Sequence, residues 1–224
     1  MGYSLLLVAV ILAAVDWVGV AREERRLEYA FKPLVMIVLL AWLWQATGLR
    51  GWAAWFAFGV VFSLAGDVFL MLPRDLFLAG LVSFLLAQVA YAVGFNPTLP
   101  ALNLGALLLA AVVAAYASWI YLHLSRGLRA RNEAGLAAPV LVYAVVISAM
   151  VLSALLTLMR PEWNRVHALI ASAGAVLFLA SDSMLAWDRF VRPFPGARLK
   201  VMVTYHLGQV GILVGAGLHL AALN

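Results

Sequence analysis

The chain has 224 residues, 66% of them hydrophobic and 11% charged, with a net charge of +5. A soluble domain of this length carries roughly twice that charge, so a soluble enzyme or a nucleic-acid-binding module is excluded, and the modest basic excess belongs to membrane topology. Cysteine is absent, which removes disulfides, thiolate metal sites and a cysteine nucleophile together. Apolar blocks long enough to cross a bilayer recur along the whole sequence. They predict an all-α integral membrane protein, a single transmembrane domain over 1–224 with eight helices in a bundle.

Taken in chain order, the predicted spans are 3–20, 33–48, 52–72, 76–95, 99–122, 138–159, 166–187 and 201–221. The first lacks a positive leader and is interrupted by Asp16 near its end, so it reads as a span rather than a cleaved signal peptide. Asp16 pairs either with an arginine of the Arg22–Arg26 run or with Lys32. Pro33 opens the second span, with Lys32 at its mouth as either a snorkelling anchor or a phosphate contact. The third carries Asp67, with no other charge between Arg50 and Arg74. The fourth brings Gln88 and Tyr91, the sixth Pro139 and Tyr143, the seventh Asp182, and the eighth Tyr205, His206 and Gln209. Trp52, Trp163 and Trp187, near span ends, read as an interfacial belt. Asp75 and Asp188 sit at loop edges, solvated or salt-bridged.

Loops after spans one, three, five and seven hold twelve of the fifteen Lys and Arg residues; those after spans two, four and six hold three. The positive-inside bias puts both termini on the non-cytoplasmic side, and the bacterial cytoplasmic membrane is the expected location. Asp67 then lies about 7 Å above the cytoplasmic end of its span, with Asp182 at similar depth. Lys32, Tyr143, Tyr205, His206 and Gln209 belong to the same half, Gln88 and Tyr91 lie nearer the midplane, and the outer half is nearly featureless.

Spans three and seven share L-A-[GS]-D-x-x-L, at Leu64–Leu70 and Leu179–Leu185, four spans apart and in the same orientation. The echo at Gln88 and Gln209, and at Pro33 and Pro139, suggests a parallel four-plus-four repeat, although short matches among abundant small residues also arise by chance. An aspartate in a membrane costs about 2.5–3.5 kcal/mol at a helix centre and is a functional-site candidate by default; interhelical hydrogen bonding is the plainer account. Low dielectric and a second nearby carboxylate both disfavour double ionisation. One aspartate can stay protonated and donate while the other acts as base. His167 and His219 fall near outer span ends and His123 near an inner one, so no three-histidine zinc centre assembles. A mixed Asp67/Asp182/His206 site is the metal reading that remains, and no cofactor is expected. Tyr205 and Gln209 share a helix face.

The ordered set Lys32-Pro33-Leu34, SLAGDVFLML around Asp67, Phe84…Gln88…Tyr91…Phe95, Pro139…Tyr143…Met150, LASDSMLAWDRF around Asp182 and Tyr205-His206…Gln209 resembles the YhhN-like lysoplasmalogenase family of eight-span membrane proteins. One position departs, Gln88 standing where the family motif suggests a histidine. The resemblance implies hydrolysis of the vinyl-ether bond of lysoplasmalogen, giving a fatty aldehyde and glycerophosphoethanolamine or glycerophosphocholine. It implies Asp67 and Asp182 as an acid–base pair, with Lys32, Gln88, Tyr91, Tyr143, Tyr205, His206 and Gln209 around the substrate and the lipid bilayer as the setting. A proton-coupled transporter or flippase also calls for buried carboxylates and repeats, but its polar residues should continue to the outer face. A hydrolase of another lysophospholipid would keep the same fold, whereas a non-catalytic lipid receptor leaves the matched aspartates unexplained.

Overall fold

The structure, a computed structural model, describes residues 3–98 and 103–223. Eight helices in it are long and apolar enough to cross a membrane. They are α1 (Ser4–Ala21), α2 (Arg25–Thr47), α3 (Ala53–Met71), α4 (Phe77–Phe95), α5 (Leu104–Ala130), α6 (Ala137–Leu156), α7 (Arg165–Ala186) and α8 (Ala197–Ala221). Short 3-10 turns flank α6, and α7 runs into a π turn at Trp187–Val191. The hydropathy reading finds every helix but underestimates three. Helix α2 begins at Arg25, so Pro33 lies inside it rather than at its start, and Lys32 sits two turns in rather than at a mouth. Helix α5 continues to Ala130, and α8 starts at Ala197. Hydropathy marks where lipid ends, whereas a helix with satisfied backbone bonds can run on into water. The expected beginning of span five falls on residues 99–102, outside the described residues.

Pairing follows one pattern in both halves of the chain. Helix α3 packs on α4 and α7 on α8, α1 on α2 and α5 on α6, and α4 meets α6 as α8 meets α2. The α7–α8 contact is the closest, because glycines remove the side chains between the backbones. A Cβ on Gly174 would come within 2.4 Å of the Ile212 nitrogen, and one on Gly215 within 2.4 Å of the Ala171 nitrogen. Such close approach is what small residues contribute where lipid offers no hydrophobic drive between helices. It also sets the register that places Asp182 of α7 beside the first half of α8. The core between the helices is apolar, with Leu39, Trp42, Phe56, Phe178 and Ile212 fully buried.

The end of the bundle carrying most arginines is tied by exposed pairs, Arg189 with Asp75 at 3.0 Å and Arg198 with Glu28 at 2.7 Å. The Arg189 guanidinium holds the Asp75 carboxyl below its ordinary range, and Asp188 accepts from the Phe194 amide at 3.1 Å. The opposite end is not featureless. Arg160, buried beyond α6, donates to the Phe95 carbonyl at 2.7 Å and to Asn96 Oδ1 at 2.7 Å, clasping the C-terminus of α4. Trp163 does not lie in an interfacial belt; it is buried, stacked on His219 at 3.9 Å between ring centroids.

The glycine seam generates a stability prediction. Gly174→Val forces a side chain against backbone that cannot yield and should cost about 1–3 kcal/mol or more, as overpacking does. Thermal unfolding in detergent should show this, with Val176→Ala on the exposed face of the same helix as an unchanged control. Equal unfolding temperatures for both variants would contradict the seam.

Candidate functional site

Asp67 sits near the C-terminal end of α3 and is 1% exposed. Its Oδ1 meets the Lys32 ammonium of α2 at 3.0 Å, and its Oδ2 accepts from the Tyr205 hydroxyl of α8 at 2.6 Å. Three helices are thus joined through one carboxylate, its charge balanced by a lysine that is itself 7% exposed. The Lys32 ammonium also lies 5.7 Å from the Tyr205 ring centre. Lys32, read from the sequence as an anchor or a phosphate contact, has its charge engaged by Asp67 here.

Asp182, on α7, has a different setting. It accepts from the Tyr143 hydroxyl of α6 and has no cation in hydrogen-bond contact among the described residues. It is half-buried and faces a partly open cleft between α4, α5, α6 and α7. Leu70, Phe77, Phe84, Ile147, Leu179 and Phe190 make that cleft apolar, with Asp182, Tyr143, Ser148 and Ser183 as its polar side chains. The π turn after α7 carries Phe190, whose ring meets Phe77 edge-on at 5.3 Å. Tyr116 of α5 fixes Ser183 by a 2.9 Å hydrogen bond.

No hydrogen bond joins Asp67 to Asp182. Phe84 stands between their surroundings, one face on the cleft and its ring edge-on to Tyr205 at 5.9 Å. Each carboxyl group is held by its own tyrosine.

The remaining candidates line a polar seam through the bundle. Tyr91 donates to Gln209 Oε1 at 2.7 Å, joining α4 to α8. Gln88 and Gln209 are fully buried, as is Ser63; both polar atoms of Gln88, Gln209 Nε2 and Ser63 Oγ lack a partner among the described residues. Buried groups of this kind are few in folded proteins, so the seam offers donors and acceptors to something other than the chain. His206 makes no hydrogen bond to Asp67 or Asp182. Its Nδ1 accepts from Trp17 Nε1 at 3.1 Å and lies 4.0 Å from Asp16. Asp16 therefore pairs with neither Lys32 nor the Arg22–Arg26 run. It is fully buried on the inner face of α1, while those arginines are exposed past the helix end. Sequence reasoning missed Trp17, since nothing in a tryptophan beside a helix end signals a partner 189 residues away. Among the described residues, no three His, Asp or Glu side chains lie close enough to share a metal ion.

Known proteins share this sequence pattern over most of its length. A sequence profile of the YhhN family matches residues 27–216. Lysoplasmalogenase TMEM86B of Mus musculus is 33% identical over 188 residues, spanning 83% of this chain and 72% of its own. The Homo sapiens protein of that name is 31% identical over 187 residues, at 83% and 73%. A lysoplasmalogenase of Mycobacterium tuberculosis is 32% identical over 199 residues, at 85% and 70%. No solved structure matches.

The buried ion pair makes a measurable prediction. Removing one partner of such a pair costs about 3–5 kcal/mol because the other charge is left uncompensated. Lys32→Met should therefore destabilise strongly in a detergent unfolding assay. Combining it with Asp67→Asn, which keeps the Tyr205 contact without the charge, should restore much of the loss. A double variant no more stable than Lys32→Met alone would show that the charges are not coupled.

Proposed function

Because this chain belongs to the YhhN family, we propose that it hydrolyses the vinyl-ether bond of lysoplasmalogen to a fatty aldehyde and a glycerophospho-alcohol. The matched relatives carry the name lysoplasmalogenase over most of this chain. The observation that carries the chemical reading is Asp182, a carboxyl without a contacting cation on the wall of an apolar cleft, where Phe84 links that wall to Tyr205, the partner of the lysine-paired Asp67.

The roles follow from the contacts. A vinyl ether is cleaved by protonating its outer alkene carbon, which leaves an oxocarbenium ion on the carbon bonded to oxygen. Asp182 can accept from Tyr143 on one oxygen while carrying a proton on the other. It is the acid. Asp67, paired with the Lys32 ammonium, opposes the developing cation and takes the proton released when water adds. The arrangement parallels carboxylate pairs in glycoside hydrolysis. The hemiacetal then collapses, its hydroxyl proton passing to the glycerol oxygen, and the proton held by Asp67 returns to Asp182. One water is consumed. The cleft suits the alkenyl chain, while Gln88, Gln209 and Ser63 can orient water or the glycerol hydroxyl. We place the arginine-rich end, and with it the site, toward the cytoplasm of a bacterial inner membrane, on the positive-inside bias. The matched pairing of helices in the two halves supports the parallel four-plus-four repeat.

The test is aldehyde release by purified protein in detergent, given lysoplasmalogen and its saturated alkyl-ether analogue. Only the vinyl ether should be cleaved. Asp182→Asn and Asp67→Asn should each lower kcat by about 10²–10⁴-fold, the usual contribution of a general acid or base. Full activity in either variant, or cleavage of the alkyl ether, would overturn the mechanism.

A further inference from the structure

A second pocket opens at the arginine-rich end, bounded by Arg25, Glu28 and Tyr29 of α2, by Leu70 and Pro73 at the end of α3, and by Arg198 of α8. We propose that this pocket binds the phosphodiester of the lysophospholipid substrate, with Arg25 and Arg198 as the anion-binding residues; the assignment rests on the hydrolase reading above.

Three observations carry it. The first is position. Glu28 and Tyr29 lie one helical turn before Lys32, Leu70 and Met71 lie one turn after Asp67, and Arg198 lies two turns before Tyr205. The pocket is therefore the vestibule beneath the Lys32–Asp67–Tyr205 cluster, formed by the same three helices. Leu70 lines both this pocket and the apolar cleft with Asp182 on its wall. A single-chain amphiphile bent around Leu70 would have its head in one and its tail in the other. The labile bond, next to the glycerol, would then fall at the boundary near the two aspartates.

The second is charge. Arg25 has no ion pair among the described residues, whereas Arg198 shares one with Glu28 at 2.7 Å. Two guanidiniums against one carboxylate leave one positive charge, the complement of a phosphodiester monoanion. Lys32, one turn beyond Glu28, is occupied by Asp67 at 3.0 Å. Guanidinium is also the better match to a phosphate, which it can meet with two parallel hydrogen bonds.

The third is backbone. Helices α2 and α8 both begin at this pocket, and neither start has a side-chain cap. Their first N–H groups and positive dipole ends add to the arginines. The C-terminal end of α3 works the other way, but its partial charge is outweighed by two full ones.

The experiment measures binding of a non-cleavable alkyl-ether lysophospholipid, and of the monoalkylglycerol with the same chain, to the full-length protein in non-ionic detergent. Tryptophan fluorescence is the readout, and inorganic phosphate is titrated in parallel. Arg25→Gln and Arg198→Gln should each weaken the phosphorylated lipid about tenfold, in keeping with loss of one charge-assisted contact, and leave monoalkylglycerol unchanged. Arg25→Lys should recover part of the loss. With lysoplasmalogen the same variants should raise KM about tenfold with kcat nearly constant. Wild-type affinity for the phosphorylated lipid in both variants would overturn the proposal, as would equal weakening of the two ligands. Saturation by millimolar inorganic phosphate alone would assign the pocket to free phosphate instead. Arginine-dependent lipid binding without aldehyde release would keep the subsite and reject the hydrolase; aldehyde release with unchanged KM would do the reverse.

Discussion

Much of the structure is organised by the contact between Lys32 and Asp67. A lysine two turns into α2 and an aspartate one turn from the end of α3 meet at 3.0 Å where neither reaches bulk water. Neither charge would be tolerated in that position by itself. Together, with the Tyr205 hydroxyl on the second carboxylate oxygen, they lock α2, α3 and α8 into one register. That register decides what lies one turn to either side, a polar seam toward the bundle centre and the arginine-lined vestibule toward its end.

Asp182 is the counterpart that this constraint leaves unbalanced. Its sequence surroundings repeat those of Asp67, yet its environment differs. It has a tyrosine but no contacting lysine among the described residues, and an apolar cleft in place of a closed helix junction. Similar motifs therefore yield two dissimilar carboxyl groups because their partners come from different helices. The glycines at 174, 208, 211 and 215 hold α7 against α8, so that the difference persists in a fixed geometry.

The eight spans were legible because a bilayer demands long apolar runs and tolerates few breaks. The extra turns of α2, α5 and α8 were not, because charged residues continue a helix without any drop in backbone satisfaction. Within the site, Asp67 and Asp182 stood out by the cost of a carboxylate in lipid, and Tyr143 and Tyr205 by their depth beside them. Depth, however, fixes only a position along the bundle axis. Which way a residue points around its helix depends on packing, and there the sequence was silent. Hence Asp16 turned inward to His206 rather than outward to the arginines. Hence also Lys32 met the carboxylate of Asp67, and Arg25 and Arg198, which the sequence did not bring together, came to flank a pocket.

The distribution of buried polar groups also bears on the transporter reading. A carrier needs a polar route that can open to both sides of the membrane. Here the seam of Ser63, Gln88, Tyr91 and Gln209 runs inward from the vestibule. The buried charge at the opposite end, Arg160, lines no route: its guanidinium is committed to the Phe95 carbonyl, Asn96 and the Thr98 carbonyl, closing the turns that join the helices there. Opening that end would expose a desolvated cation and break three hydrogen bonds at once. A bundle open to one side and clasped at the other suits a substrate that enters and leaves by the same mouth, as a single-chain lipid and its two hydrolysis products would.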